Sequence, residues 1–260
     1  MCRPIPDMHH EWEGPMDHLA FQVNARQLFA NMVQGAEADI DLGKAALLIA
    51  SEEYPGLDLL RYIAKLEAMG AAVRPQVAAA EDGFGKIAAL NAYLFQEQGF
   101  RGNPQEYYDP RNSFLNEVLD RKSGIPITIS VIYIEVGRRA GMSLHGVGMP
   151  GHFIVKYDHP DDVMFIDPFN GGRILSRTAC EELVQQIYGE PVPFQETFLA
   201  TVTTKQLLSR VLGNLKAIYL QEKDYLKALS VVERLLLIQP HAEQELKDRA
   251  ALRNLIGMLN

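Results

Sequence analysis

The stretch that decides the fold runs from Ser123 to Met142 and reads SGIPITISVIYIEVGRRAGM. In its first half, β-branched residues alternate with Pro126, Thr128 and Ser130, a pattern typical of a strand. The apolar run then continues to Val136, which is long enough for a buried helix, and proline suits the first turn of a helix. Residue propensity alone favours a strand here, whereas length favours a helix.

The residues before this stretch are predicted to be helical. Apolar residues recur at helical spacing after the candidate caps Asp39 and Asp41. The pattern breaks at Pro55-Gly56, resumes at Leu59 and is predicted to end at Gly70.

Further helices are predicted on either side of the stretch from turn and capping signals. They are a helix from about Lys86 to Gln98 stopped by Gly99, a short helix capped by Asn112 or Ser113 that runs through Leu119, and a helix opened by the capping-box spacing of Thr178-Ala179-Cys180-Glu181.

From Thr204 onward the chain is again predicted to be helical. Its apolar positions fit a helix-turn-helix repeat of about 34 residues, with Lys216 where the repeat prefers glycine. One copy cannot bury its own apolar face. We therefore expect it to pack on the core, on a partner, or on a helix that begins near Glu243.

Between these helical parts, two short runs predict a β-hairpin, His152 to Tyr157 and Val163 to Asp167, around the polar turn Asp158 to Asp162. Symmetric pairing about that turn places Lys156 opposite Val163, Ile154 opposite Phe165, and His152 opposite Asp167. An imidazole would then lie beside a carboxylate at the open end of the hairpin. The pair is either a structural contact that holds the hairpin closed or a base with its orienting carboxylate.

Composition excludes several classes of function. The net charge of −8 and pI near 5.4 argue against non-specific binding to nucleic acid or anionic membranes. No apolar run approaches the roughly 20 residues of a membrane span, and residues 1–14 lack the apolar core of a signal peptide. The two cysteines, Cys2 and Cys180, are far apart, which indicates a reducing compartment and a cytoplasmic protein. No metal-ligand spacing is present, and neither a metal nor a cofactor is expected.

Three segments together resemble the bacterial SirB-type family, which has a transglutaminase-like domain followed by tetratricopeptide repeats. They are the run from Tyr107 to Met142, GMPGHFIVKY at Gly148 to Tyr157, and MFIDPFNGGRILS at Met164 to Ser176. The segment ASEEYPGLD at Ala50 to Asp58 resembles the same family's amino-terminal part.

The resemblance implies an α+β fold, a papain/transglutaminase-like core in which a buried helix packs on an antiparallel sheet. On this basis residues 126–140 are predicted to be a helix. The expected organisation is a flexible tail (1–18), an N-terminal helical segment (19–102), the transglutaminase-like core (103–203) and TPR-like helices (204–260).

The resemblance also implies a site. Active members of such families carry a cysteine at the start of the buried helix after a Gly-x motif, with a strand His and Asp completing the triad. His152 and Asp167 match the last two, and Gly124-Ile125 matches the Gly-x, but Pro126 occupies the nucleophile's position. Thr128 and Ser130 are candidate substitutes, or else hydroxyls that bond to the helix backbone.

Three more residues are candidates for binding. Tyr107, Tyr108 and Asn112 belong to a turn near the expected cleft, where they would line a pocket or anchor the loop. Cys180 is just inside a predicted helix start, which can lower a thiol pKa, but a buried structural cysteine is the favoured interpretation.

The favoured hypothesis is a catalytically degenerate transglutaminase-like module for interaction or regulation, with a protein or peptide partner bound through the helical repeat. The alternative is an amide-directed hydrolase or transferase that uses His152 and Asp167 with a non-standard nucleophile, or with a thiol supplied by a partner.

Overall fold

The N-terminal part of the protein is built from helices. The computed structural model describes residues 15–160, 163–189 and 192–259. Of the predicted tail (1–18), residues 1–14, with Cys2, lie outside these ranges, whereas residues 15–18 are helical. The first four helices are α1 (Pro15–Gln34), α2 (Leu42–Ser51), α3 (Leu59–Ala79) and α4 (Gly83–Asn91), and a π-helical segment (Ala92–Glu97) follows α4.

Local capping sets the start of α2 as expected, because the Asp41 side chain accepts a hydrogen bond from Lys44 N at 2.9 Å. The predicted end of α3 at Gly70 is wrong, since the helix continues through Gly70 and Pro75 to Ala79. Gly70 serves close packing instead. A Cβ at this position would lie 2.3 Å from Arg139 Cβ.

The deciding stretch is a helix, as the family resemblance predicted. Helix α6 (Pro126–Arg139) follows the short α5 (Leu115–Arg121), and every α6 residue from Pro126 to Gly137 is buried. Pro126 stands in the first turn, where no intrahelical N–H donor is required. Burial on all sides explains why the β-branched residues lack the polar face of a surface helix.

A four-stranded antiparallel sheet packs against α6. Its strands are β3 (Leu144–Val147), β4 (Ile154–Asp158), β5 (Val163–Asp167) and β6 (Arg173–Leu175), each paired with the next, while β1 (Arg101–Gly102) and β2 (Ser123–Gly124) form a separate parallel pair. Val155 and Ile166 belong to the same core as α6, whereas Ile154 and Leu175 pack with Cys180 of α7 (Arg177–Tyr188). The sheet therefore lies between α6 and α7.

Two predicted helix caps are wrong. Helix α5 begins after Phe114, because Asn112 and Ser113 belong to a preceding 3-10 turn that Asp109 caps. Helix α7 is capped by Ser176, whose Oγ accepts from Ala179 N at 3.1 Å, so Thr178 lies inside the helix.

The C-terminal helices are α8 (Thr204–Gln221), α9 (Tyr225–Ile238) and α10 (Glu243–Leu259). The buried face of α8, which includes Leu208 and Leu212, belongs to the main core, so the repeat packs on the core and on α10. Lys216, at the position where the repeat prefers glycine, pairs with Glu245 and Asp248 of α10, each at 2.7 Å. Among the helices that the structure describes, none is long and apolar enough to cross a membrane.

Candidate functional site

The hairpin that carries the candidate pair has a different register from the predicted one. Lys156 pairs with Phe165 rather than Val163, and Asp158 pairs with Val163. Asp158 belongs to the strand because its N–H donates to Ser143 O at 3.0 Å and its carboxylate contacts Lys156 at 2.7 Å. The loop is therefore shorter than expected, and His152 lies before β4 instead of in it.

His152 and Asp167 are nevertheless in contact, as predicted. The His152 backbone N–H donates to Met149 O at 3.2 Å, and this turn brings the ring beside the end of β5. His152 Nε2 lies 3.0 Å from Asp167 Oδ2. That distance suits a hydrogen bond, but the angles at the ring nitrogen do not. The two groups are therefore in close contact without a well-aligned hydrogen bond. Both groups are buried, with 6% of His152 and 1% of Asp167 exposed.

Asp167 is held as an anion. Its Oδ2 accepts from Asn170 Nδ2 at 2.7 Å in addition to the His152 contact. Burial acts to raise the pKa of Asp167, but His152 and Asn170 outweigh it and hold this pKa below its usual value. An ionised carboxylate beside an imidazole can orient the ring and stabilise its protonated form.

The turn after Asp167 is fixed by residues that the sequence analysis did not identify. Asn91 Nδ2 donates to Gly172 O at 2.8 Å, and Asn91 Oδ1 accepts from the buried Tyr133 hydroxyl at 3.0 Å. Gly172 has φ +77°, and a Cβ there would lie 2.0 Å from Asn91 Oδ1. The glycine pair at 171–172 was the available signal, because it indicated a turn with special backbone geometry.

The predicted nucleophile position, Pro126, lies at the start of α6 and offers no nucleophilic atom. The His152 ring contacts Phe169 edge-on, with centroids 6.0 Å apart, and Phe169 packs over Gly102. Gly102 pairs with Gly124, two residues before Pro126. These contacts link His152 to the segment that precedes α6.

The two substitute nucleophiles differ in their surroundings. Thr128 Oγ1 donates to Asn112 O at 2.7 Å and accepts from Ile125 N at 3.2 Å, so it caps α6 and holds the preceding loop. Ser130 is fully buried, and its Oγ has no hydrogen-bond partner among the residues that the structure describes. Neither hydroxyl is shown in contact with His152.

Cys180 is not placed as a nucleophile. It is fully buried in the layer between the sheet and α7. Burial, with a further contribution from the Asp167 charge, raises the pKa of its thiol to about 11. The thiolate, which is the reactive form, is therefore scarce at neutral pH.

The predicted binding residues do not act as one group. Asn112 is buried, and its amide is used inside the turn, donating to Glu106 O at 2.6 Å and accepting from Asn103 Nδ2 at 3.3 Å. Tyr108 is 65% exposed, whereas Tyr107 is half-buried and packs edge-on against it. Burial raises the pKa of Tyr107, opposed by the charge of Arg210.

Arg210 of α8 holds the loop that carries His152. Its Nη2 donates to the carbonyls of Met149 and His152, at 2.8 and 2.6 Å, and its guanidinium lies 5.5 Å from the centroid of the Phe153 ring. No sequence motif pointed to Arg210, because the contact joins segments about 60 residues apart.

Within the described ranges, no group of three or more His, Cys, Asp or Glu side chains could hold a metal ion.

Comparison with known proteins agrees with this architecture. A family model described as the transglutaminase-like superfamily matches residues 60–213, and a tetratricopeptide-repeat model matches residues 215–259. A UPF0162 protein of Xylella fastidiosa strain 9a5c is 40% identical over 214 residues, covering 81% of this chain and 76% of the relative. A UPF0162 protein of Vibrio cholerae is 27% identical over 219 residues, covering 84% of this chain and 77% of the relative.

A further relative is a longer protein that matches over a shorter region. Human F-box only protein 21 is 31% identical over 142 residues, which is 50% of this chain and 21% of that protein. No solved structure gives a significant match.

Proposed function

The chain belongs to the transglutaminase-like superfamily, and we propose that it is a catalytically degenerate member that binds a protein partner through its C-terminal helices. The observation that carries this proposal is Pro126, which stands where the family's chemistry needs a thiol at the start of α6. The burial of His152 and Asp167 supports it, because a general base must reach the group from which it takes a proton.

Tetratricopeptide helices suggest protein–protein interaction, and these helices expose apolar side chains. Leu226 of α9 is 68% exposed, and Met258 of α10 is 83% exposed. Human F-box only protein 21 resembles this chain over only 21% of its own length, which supports the use of such a domain as a module.

The proposal includes a cytoplasmic location, a regulatory role and the SirB-type assignment. It also includes the division of the chain into a tail (1–18, whose last four residues belong to α1), a helical segment (19–102), a core (103–203) and a repeat (204–260). The partner contacts the repeat, and the core acts as the scaffold that orients it.

Site-specific photo-crosslinking tests the proposal. A photoreactive amino acid placed at Leu226 or Met258 should capture a discrete partner in cells. The same residue at Leu60 of α3, which is 79% exposed, is the matched control on the N-terminal helical segment and should not capture it. Capture should be unchanged by His152→Ala. Equal capture from all three positions, or none from the repeat, would contradict the proposal.

The second candidate function is an amide-directed hydrolase or transferase. The ionised Asp167 beside His152 favours it, because this is the arrangement of a base and its orienting carboxylate. Incubation with acyl-donor probes followed by intact-mass analysis distinguishes the two. An adduct that disappears in His152→Ala, and in Ser130→Ala or Thr128→Ala, would establish the enzyme and overturn the degenerate assignment.

A further inference from the structure

We propose that Arg210 forms a binding site for an oxyanion, the carboxylate or phosphoryl group of a ligand, where α8 meets the His152 loop. Arg210 contacts the backbone of that loop, whereas Asp167 contacts the His152 ring. It goes beyond the proposed function, since anion binding requires neither catalysis nor a protein partner.

The positive charge of Arg210 supports an anion-binding site. Arg210 is half-buried, yet within the described part of the chain no carboxylate forms an ion pair with it. Other inward-facing arginines have such partners: Arg26 and Arg234 contact Glu52, and Arg139 contacts Glu135. Removing a cation from water without an anion costs free energy, which a bound oxyanion would offset.

The fixed orientation of the Arg210 guanidinium also supports the site. A guanidinium carries five N–H donors, and the two carbonyl contacts of Arg210 both use Nη2. These contacts and the Phe153 ring fix the plane of the group. Nε and Nη1 have no hydrogen-bond partner among the described residues, so they remain available to a planar or tetrahedral oxyanion.

Gly148 sets the space beside Nη1 of Arg210. Gly148 lies against Arg210, and a Cβ there would lie 3.0 Å from Nη1. The φ of Gly148 is not in the left-handed region, so close approach explains this glycine better than backbone conformation does. A methyl group at residue 148 would occupy the approach to Nη1.

Two tyrosines lie in the neighbourhood of Arg210. The charges of Tyr107 and Tyr188 would act on its guanidinium, and Tyr188 is 51% exposed. A tyrosine hydroxyl can donate to an oxyanion, so both residues are candidate donors to the ligand. Tyr107, a binding candidate from the sequence, thereby acquires a specific role.

Titration of the full-length protein with inorganic phosphate and, separately, with acetate tests the site. Amide and arginine-side-chain NMR signals should shift saturably at Gly148, His152 and Arg210. Arg210→Gln should raise the dissociation constant about tenfold or more. Arg210→Lys should weaken binding less, since lysine retains the positive charge but not the planar set of N–H donors. Lys205→Gln removes a half-buried cation of the same helix, whose Nζ donates to Gly35 O at 3.1 Å, and should leave the dissociation constant within about twofold.

Two further variants keep the test decisive if Arg210→Gln fails to fold. Gly148→Ala retains the cation but crowds Nη1, and Tyr107→Phe removes one hydroxyl, so both should weaken binding while circular dichroism stays unchanged. A response to phosphate alone or acetate alone identifies which oxyanion the site takes. No saturable shift with either anion, or shifts of equal affinity in Gly148→Ala and Tyr107→Phe, would overturn the site. The crosslinking experiment would be unaffected by that outcome.

Discussion

At the start of α6, Pro126 stands at the position that the family resemblance assigns to the nucleophile, while His152 and Asp167 form a pair 3.0 Å apart. Thr128, two residues further into the helix, is used for capping. On the proposed assignment one residue decides the chemistry, so substituting Pro126 tests the arrangement directly.

The first prediction is that Pro126→Cys creates a reactive thiol. A thiol at a helix N-terminus and beside an imidazole is stabilised as thiolate, and its pKa can fall to about 3–4 against roughly 8.5 for a free thiol. In a Cys2→Ser background, iodoacetamide should modify residue 126 well below pH 7. The rates are measured by intact-mass spectrometry across pH.

Cys180 is the internal control for this measurement, because its pKa is raised to about 11 and its side chain is buried. Adding His152→Ala should return the new thiol to ordinary titration. Stability should change little, since the first helical turn needs no N–H donor or proline ring to form. A folded variant whose thiol titrates normally and ignores His152 would reduce the pair to a structural contact.

The second prediction concerns the pH dependence of stability at Asp167. Its pKa is lower in the folded protein, so its stabilising effect is complete above the unfolded value of about 3.9 and is lost as pH falls through the folded pKa. The difference in unfolding free energy between wild type and Asp167→Asn should thus be largest near neutral pH and shrink below pH 4. Urea unfolding at several pH values measures it, and a difference independent of pH would contradict the assignment.

At the scale of elements, glycines set how closely helices approach. Helix α3 passes α6 at Gly70, where Arg139 occupies the space a side chain would need. Arg139 is itself held by Glu135 at 2.6 Å and Glu67 at 2.8 Å, so it cannot move aside freely. Gly70, which the sequence predicted to end the helix, is therefore a contact point between α3 and α6 in the structure.

The third prediction is that Gly70→Ala destabilises the protein by about 1–3 kcal/mol, because its methyl group would force α3 and α6 apart. Gly213→Ala is the matched control in α8, where a Cβ would meet no atom within 4 Å. That change should stabilise by about 0.5–1 kcal/mol through helix propensity. Equilibrium unfolding of both variants gives the comparison, and two stabilising substitutions would disprove the close-contact explanation.

At the scale of the whole molecule, a charge network joins the repeat to the N-terminal helices. Glu52, at the end of α2, receives two hydrogen bonds from Arg26 and lies 3.7 Å from the buried Arg234 of α9. Ser230 donates to the same carboxylate at 3.0 Å. The network lines a cavity of about 550 Å³ between α1, α2, α8 and α9. The repeat and the N-terminal helices are therefore expected to unfold together.

The fourth prediction compares two glutamates of this junction. Glu52→Ala leaves Arg234 buried without its anion and should cost about 3–5 kcal/mol. Glu233→Ala removes a partly exposed partner of Arg26 and should cost less than about 1 kcal/mol. Urea denaturation measures both. Equal costs would mean that burial does not govern this junction.

The sequence by itself determined the features that depend on residues close in the chain. The cap at Asp41 and the strand from Val163 to Asp167 follow from contacts or patterns within a few residues. The proline at residue 126, where the family resemblance implies a cysteine, is equally a property of sequence. The His152–Asp167 contact was also foreseen, although through a register that proved wrong, because the turn that begins at Met149 brings the His152 ring beside the end of β5.

Only the tertiary structure decided features that depend on distant groups. Helix α6 overrides its β propensity because it is buried on every side, and Gly70 lies inside α3 as a contact point for Arg139 instead of ending the helix. Within the described residues no carboxylate pairs with Arg210, and its contact with the His152 loop joins segments about 60 residues apart. Caps and propensities act over about one helical turn, whereas burial and charge balance are set by whatever the fold brings together, and sequence spacing carries no direct record of that.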